Sequence, residues 1–174
     1  RLARMYRDGK GVEKNTTKAI ELLRRACELR PVWQLEYVQA AIASDDSDVV
    51  SNALEICVNN ASKEPRYAKY LAFAYRDGKG VSQDLEKAAQ WMREAVQKNV
   101  WWSQVELFDI LSRIGTSESY AEMKELAESY STSSNPDVAG SMCGRLARMY
   151  RDGKGVEKNT TKAILMYDKA KIGR

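Results

Sequence analysis

The 174-residue chain contains no histidine. Its absence removes the commonest general base near neutral pH, and with it Ser-His-Asp catalysis, Cys-His catalysis and histidine-bound metal sites. A catalytic cysteine would need another activating base or cation, and none accompanies Cys27, Cys57 or Cys143 in the sequence. We therefore expect no catalytic residue, no metal and no cofactor, and we do not expect this chain to be an enzyme.

Cysteine is also scarce, and the three residues form neither a close pair nor a metal-ligand spacing. An odd count without a Cys-x-x-Cys motif favours reduced thiols on helix faces and a cytoplasmic location. The chain begins at Arg1, inside what the pattern predicts to be a helix. We expect a fragment of a longer protein, from which a targeting signal could have been removed.

Long apolar runs and a dense basic stripe are absent as well, and prolines are few. No run approaches the roughly 18 apolar residues of a membrane span, so we expect no membrane insertion. Only three prolines occur, and Ala, Leu, Glu, Lys and Arg dominate, which predicts an all-α fold. The net charge is +4, with acids and bases interleaved at helical spacing. This pattern does not predict nucleic-acid binding.

Internal repetition is the strongest positive signal. Residues 1–20 recur unchanged at 145–164, and a diverged copy occupies 70–89, with the first copy reading RLARMYRDGKGVEKNTTKAI. The intervening segments lack the glycine motif but keep the apolar spacing of two helices each. We predict one array over 1–174, with motif-bearing hairpins at about 1–30, 65–99 and 136–174 and divergent hairpins at about 31–64 and 100–135.

Each motif copy has the residues of a helix–turn–helix. Its first glycine fits the left-handed residue that ends a helix, and its second permits the return turn. An Asn or Asp then fits the N-cap of the second helix. The first glycines are Gly9, Gly78 and Gly153, the second glycines are Gly11, Gly80 and Gly155, and the caps are Asn15, Asp84 and Asn159.

The divergent hairpins carry apolar stripes without the glycine turn. Asp48 or a neighbouring acid is expected to cap a helix whose inward stripe is Val50, Leu54, Cys57 and Val58. Three tryptophans, Trp33, Trp101 and Trp102, form a second candidate surface patch. Adjacent tryptophans cannot point the same way on a helix, so one of the pair is expected to be exposed, although packing between repeats is the favoured role.

The motif Tyr-x-x-Gly-x-Gly-Val, followed by a capping Asn or Asp and by Lys-Ala, resembles the Sel-1-like repeat family, a relative of the tetratricopeptide repeats. The resemblance implies a right-handed α/α superhelical solenoid of helix-turn-helix repeats with about ten helices. It also implies a bacterial, non-catalytic scaffold or adaptor that docks a protein or peptide on its concave surface. The alternative is a regulatory or localising appendage of an enzyme, such as a cell-surface polymer synthase or glycosyltransferase, whose catalytic domain is absent here.

By this resemblance, the first helices line the concave wall and offer a largely basic set of side chains: Arg4, Arg7, Lys69, Phe73, Arg76, Arg148 and Arg151. The sharper hypothesis is a groove whose guanidinium forks clamp an acidic or C-terminal-carboxylate peptide. The alternative is that the arginines pair with Asp8, Asp77, Asp152 and nearby glutamates and only keep the surface hydrated. Exposed array ends also predict either a monomer or a weak end-to-end dimer.

Overall fold

The computed structural model describes residues 1–172 and is helical throughout, as predicted. No β-strand occurs in this part of the chain. A 3₁₀ turn spans Pro31–Trp33. The ten helices are α1 (Leu2–Asp8), α2 (Thr16–Leu29), α3 (Gln34–Ile42), α4 (Ser47–Asn60), α5 (Arg66–Asp77), α6 (Leu85–Gln97), α7 (Ser103–Ile114), α8 (Ser117–Tyr130), α9 (Pro136–Asp152) and α10 (Thr160–Ile172).

Consecutive helices form five hairpins, numbered here from hairpin 1 (α1 and α2) to hairpin 5 (α9 and α10). The chain divides into two compact units, the first Arg1–Trp91 and the second beginning at Met92, so the boundary falls inside α6. In the first unit α2 packs on α3 and α4 on α5, and in the second α8 packs on α9. None of the described helices is long and apolar enough to cross a membrane. The prediction of one array over 1–174 stays a prediction.

The three motif turns have the predicted backbone. Gly9, Gly78 and Gly153 end their helices at φ 68°, 68° and 70°, in the left-handed region that an L side chain rarely adopts. The predicted N-caps are also confirmed, because each side-chain oxygen accepts a backbone N–H three residues on. These hydrogen bonds are Lys18 to Asn15 at 2.8 Å, Lys87 to Asp84 at 2.9 Å and Lys162 to Asn159 at 2.8 Å.

A tyrosine–lysine contact joins the two helices of every motif-bearing hairpin. The lysine whose backbone N–H donates to each cap places its Nζ over the ring of the motif tyrosine, within reach of a cation–π attraction worth about 0.5–1 kcal/mol at an exposed site. The Nζ-to-centroid distances are 4.7 Å for Lys18 on Tyr6, 5.5 Å for Lys87 on Tyr75 and 5.3 Å for Lys162 on Tyr150. The sequence motif contains both residues, but only the fold shows that they meet.

The divergent hairpins use other turn chemistry. The side chain of Asp46 caps α4 by accepting hydrogen bonds from the backbone N–H groups of Asp48 and Val49. Of the acids that the sequence offered as the cap, it is therefore the neighbouring Asp46, not Asp48, that caps the helix. The predicted α4 stripe is buried except for Val58, which is 59% exposed. That prediction was wrong because a helix turns by about 100° per residue, which carries position 58 away from the buried face of Cys57.

In hairpins 3 and 5 the second motif glycine brings the turn against the preceding hairpin. A Cβ atom built on Gly80 would lie 2.6 Å from Cγ1 of Val50 on α4. One built on Gly155 would lie 2.6 Å from Cβ of Tyr120 on α8. The equivalent atom on Gly11 would meet only Cε of Met5, at 3.4 Å and within its own hairpin. The second glycine therefore serves close packing between hairpins as well as the return turn.

Alanine substitution separates these two roles. Gly11→Ala and Gly80→Ala both place a side chain at positive φ, 76° and 67°, which costs about 1 kcal/mol or more. Only Gly80→Ala also forces a methyl group into a packed helix, for a total cost of about 2–4 kcal/mol. Urea unfolding followed by circular dichroism measures both free energies of unfolding. Equal losses for the two variants would contradict the packing role.

Candidate partner-binding surface

Three of the predicted basic residues are held by the acid that follows them in the motif. Arg7 donates to Asp8 at 2.8 Å, and the same pairing joins Arg76 to Asp77 at 2.7 Å and Arg151 to Asp152 at 2.6 Å. The hydrogen bonds from the guanidinium groups lower the pKa of Asp8 and of Asp152 below the ordinary aspartate value. These are the arginine–aspartate pairs expected if the arginines only keep the surface hydrated. The partner-binding role of the arginines stays a prediction.

The other predicted residues of the first unit are also engaged. Arg4 on α1 pairs with Glu36 on α3, with 2.5 Å between Nη2 and Oε1, and its guanidinium lies 5.9 Å from the Trp33 ring. Lys69 and Arg76 lie over the Phe73 ring at 5.6 and 4.6 Å. A partner approaching this unit therefore meets cations that already have a carboxylate or an aromatic ring beside them.

Arg148 differs from its sequence-identical counterpart Arg4. Its side chain is exposed and makes no hydrogen bond or ion pair with any residue that the structure describes. The same residue in the same twenty-residue copy is thus paired in hairpin 1 and unpaired in hairpin 5. The difference arises from the segment that follows hairpin 1, because the partners of Arg4 lie outside this hairpin, on α3 and in the turn before it.

Arg148 lies in a groove of about 920 Å³ in the second unit, here called the α9 groove. One face of α9 from Asp137 to Arg148 forms its floor, and Trp101, Trp102 and the end of α10 form its sides. A Cβ atom on Gly144 would meet nothing within 4 Å. The floor at this point is therefore bare helix backbone, which lets a bound chain approach closely. The volume is in the range of ligand sites, about 300–1,000 Å³.

Trp101 and Trp102 stack on each other beside this groove. Their ring centroids lie 5.4 Å apart with 29° between the planes, and Trp101 is 67% exposed. Trp102 has φ 66°, a conformation that costs a bulky residue about 1 kcal/mol or more. The expectation that one ring is exposed is confirmed. The helical argument behind it was wrong, because both residues lie in the turn before α7, where they face the same side.

Arg145 is a groove residue that the sequence analysis missed. Its guanidinium binds Asp109 on α7, with 2.7 Å between Nη2 and Oδ2, donates to Ser141 Oγ at 2.6 Å and lies 5.6 Å from the Phe108 ring. The i+3 spacing to Arg148 was the available signal, since such residues share a helix face. Arg145 is therefore fixed by α7, whereas Arg148, next to it along the groove, is exposed and makes no such contact within the described residues.

The structure offers little for covalent or metal chemistry in the described part of the chain. No group of three or more acidic, cysteine or histidine side chains there could hold a metal ion. Cys57 is fully buried, and burial raises the pKa of its thiol to about 12. Burial also raises the pKa of Cys27 and of Cys143. None of the three thiols therefore has the lowered pKa of a cysteine nucleophile.

Comparisons with known proteins identify the repeat. The family model described as Sel1 repeat matches residues 1–30, 66–100 and 141–171, which together make up more than half of the chain. A solved Sel1 repeat protein from Oxalobacter formigenes is 16% identical with a TM-score of 0.63, over 99% of this chain and 71% of that one. This likeness shows the same fold.

A second solved structure is c5321, a protective antigen of uropathogenic Escherichia coli strains with an SLR fold. It is 19% identical with a TM-score of 0.42, and the alignment covers 98% of this chain and 44% of that one. The chain thus spans less than half of the length of that protein. A search of curated proteins found no match.

Thiol labelling tests whether burial limits the reactivity of the three cysteines. With iodoacetamide at pH 8, Cys27 should react first because it is only half-buried, while Cys57 and Cys143 should react only as the protein opens. Mass spectrometry of the digested protein gives the three rates. In denaturant the rates should converge. Labelling of Cys57 in the native protein at its denatured rate would contradict the burial argument.

Proposed function

The chain belongs to the Sel1 repeat family, and from this membership we propose that it docks a protein partner in the α9 groove. Repeats of this family generally serve as protein–protein interaction modules and are generally non-catalytic. The observation that carries the choice of site is the exposed, unpaired guanidinium of Arg148 in the same groove as the stacked Trp101 and Trp102, of which Trp101 is exposed. Aromatic and arginine side chains are also the residues that most often dominate binding energy at protein interfaces.

The partner segment that fits this groove is an acidic peptide with an apolar side chain next to its acid. A carboxylate of the peptide can form an ion pair with Arg148 without first displacing another acid. Each charge-assisted hydrogen bond formed in this way contributes about 1.5–3 kcal/mol to binding. The Trp101 ring gives the apolar side chain a rigid surface. Lys171 adds positive charge at the α10 side, although Asp168 lies 3.6 Å from its Nζ.

The remaining predicted residues would contribute less to initial binding. Arg4, Arg7, Arg76 and Arg151 each have a carboxylate within 2.8 Å. A ligand would first have to displace that carboxylate, and the exchange of one ion pair for another at an exposed surface yields little free energy. We therefore propose Arg148 as the principal anchor, with Arg151 one helical turn away as a secondary contact.

The compartment we propose for this docking is a reducing one. All three cysteines are unpaired, and Cys57 and Cys143 are buried as small apolar residues of the helix faces. Proteins of oxidising compartments rarely keep several thiols unpaired, so this usage supports a cytoplasmic location.

Matched arginine variants test the site. The probe is a fluorescent eight-residue peptide that alternates aspartate with phenylalanine, and fluorescence anisotropy measures its dissociation constant. Arg148→Glu should weaken binding about tenfold or more, because it removes a charge-assisted contact and adds repulsion. Arg4→Glu changes the same residue in the identical copy and the net charge equally, and should leave the dissociation constant within about twofold.

Two further measurements complete this test. Trp101→Ala should also weaken the peptide, since aromatic anchors at interfaces contribute about 1–2 kcal/mol or more. A control peptide with asparagine in place of aspartate should bind more weakly than the acidic one. Equal losses for Arg4→Glu and Arg148→Glu would contradict docking at the α9 groove, and equal binding of the two peptides would contradict an acidic ligand.

A further inference from the structure

A small pocket lies between α8 and the motif turn of hairpin 5, and it shares no residue with the α9 groove. Its volume is about 190 Å³, below the roughly 300–1,000 Å³ of sites that hold drug-sized ligands. The pocket can therefore hold one small group but not a peptide segment. Among the residues that line it are Lys124 of α8 and Tyr150, Glu157, Asn159 and Lys162 of hairpin 5.

The lysine that α8 contributes stands where another hairpin has a buried leucine. Leu54 on α4 and Lys124 on α8 occupy the same position, counted from the first residue of each helix, and a motif turn packs on each helix. A Cβ atom on Gly80 would lie 3.2 Å from Cδ1 of Leu54, which is buried. The side chain of Lys124 is 43% exposed. A charged side chain at a core position is a local inconsistency of the kind that accompanies binding sites.

A second difference removes an acid from the same place. In hairpin 3 the cap of the second helix is Asp84, whose Oδ2 lies 3.7 Å from Nζ of Lys87. The matching cap in hairpin 5 is Asn159, and Lys162, the counterpart of Lys87, forms no ion pair with any described residue. Oδ1 of Asn159 accepts the backbone N–H of Lys162, so its Nδ2 amide remains as a donor. Hairpin 5 thus has two cations where hairpin 3 has a leucine and an ion pair.

The acids near these lysines leave them accessible to an anion. Oε1 of Glu128 lies 4.0 Å from Nζ of Lys124, and both side chains are nearly half exposed. Such a contact contributes little, so a competing anion loses little by replacing it. Glu157 lines the pocket but is not within ion-pair distance of either lysine. Among the described residues, no carboxylate lies within hydrogen-bonding distance of either ammonium group.

From this set of donors we infer that the pocket, here called the Lys124 pocket, binds a single phosphate group. Lys124 and Lys162 supply positive charge for charge-assisted hydrogen bonds. The amide of Asn159 and the hydroxyl of Tyr150 are neutral donors that line the same pocket. Because Lys124 belongs to hairpin 4 and the other donors to hairpin 5, a bound phosphate would join the two hairpins. The inference does not depend on docking in the α9 groove.

A phosphate titration followed by NMR tests the inference. Inorganic phosphate is added to the nitrogen-15-labelled protein at constant pH and ionic strength, with chloride as the balancing anion. The backbone amides of Lys124, Asn159 and Lys162 should shift along a saturation curve. Those of Leu54 and Lys87, at the matching place in hairpin 3, should not. Partly exposed ammonium groups bind anions weakly, so we expect a dissociation constant of about 1–10 mM.

Two variants introduce the residues of hairpin 3. Lys124→Leu places a leucine at the position matching Leu54, and Asn159→Asp introduces an acid while preserving the helix cap. Each should weaken phosphate binding about tenfold or more, and circular dichroism checks that both fold. Lys154→Leu removes the same charge from an exposed residue of the same turn, outside the pocket lining. It should leave the dissociation constant within about twofold. Glu157→Gln removes the acid of the pocket and should strengthen binding.

A short glycine peptide with one central phosphoserine distinguishes the source of the phosphate. Binding of this peptide at least as tight as that of the inorganic ion would assign the Lys124 pocket to a phosphorylated partner. Binding of the inorganic ion alone would assign it to free phosphate. Amide shifts that do not saturate by about 50 mM phosphate, or equal losses for Lys124→Leu and Lys154→Leu, would overturn the inference.

Discussion

The close contact between a loop glycine and the preceding helix is the constraint on which the other packing depends. Gly80 and Gly155 hold their turns against α4 and α8 at distances that leave no room for a methyl group. Each turn is fixed at one end by a left-handed glycine and at the other by a capping Asn or Asp. Turn and helix together therefore position the first helix of the hairpin, including the face of α9 that carries Arg148.

Because each hairpin depends on its neighbours, the same residues have different roles at different places. Arg4 is paired by α3, whereas Arg148 is left exposed in the α9 groove. Ile20 is a core residue, whereas Ile164 is a surface residue. This behaviour is expected of arrays whose stability is a sum of hairpin terms and nearest-neighbour contacts.

The sequence predicted what depends on a few adjacent residues. The left-handed glycines, the side-chain caps and the helical segments all follow from local rules, and the structure confirms them. Features that depend on distant residues were missed. The stacked Trp101 and Trp102 require a non-helical turn with positive φ. The pairing of Arg145 with Asp109 joins residues 36 positions apart, and no local pattern connects them.

The most direct test of the glycine–helix contact is a double-mutant cycle between Gly80 and Val50. Cγ1 of Val50 is the nearest atom to a new methyl group at position 80. Val50→Ala removes it, so Gly80→Ala should destabilise the Val50→Ala protein by about 1–2 kcal/mol less than the unchanged chain. Tyr120→Ala should give no such rescue of Gly155→Ala, because there the methyl group meets the Cβ and backbone of residue 120. Additive free energies of unfolding for Gly80 and Val50 would contradict the account.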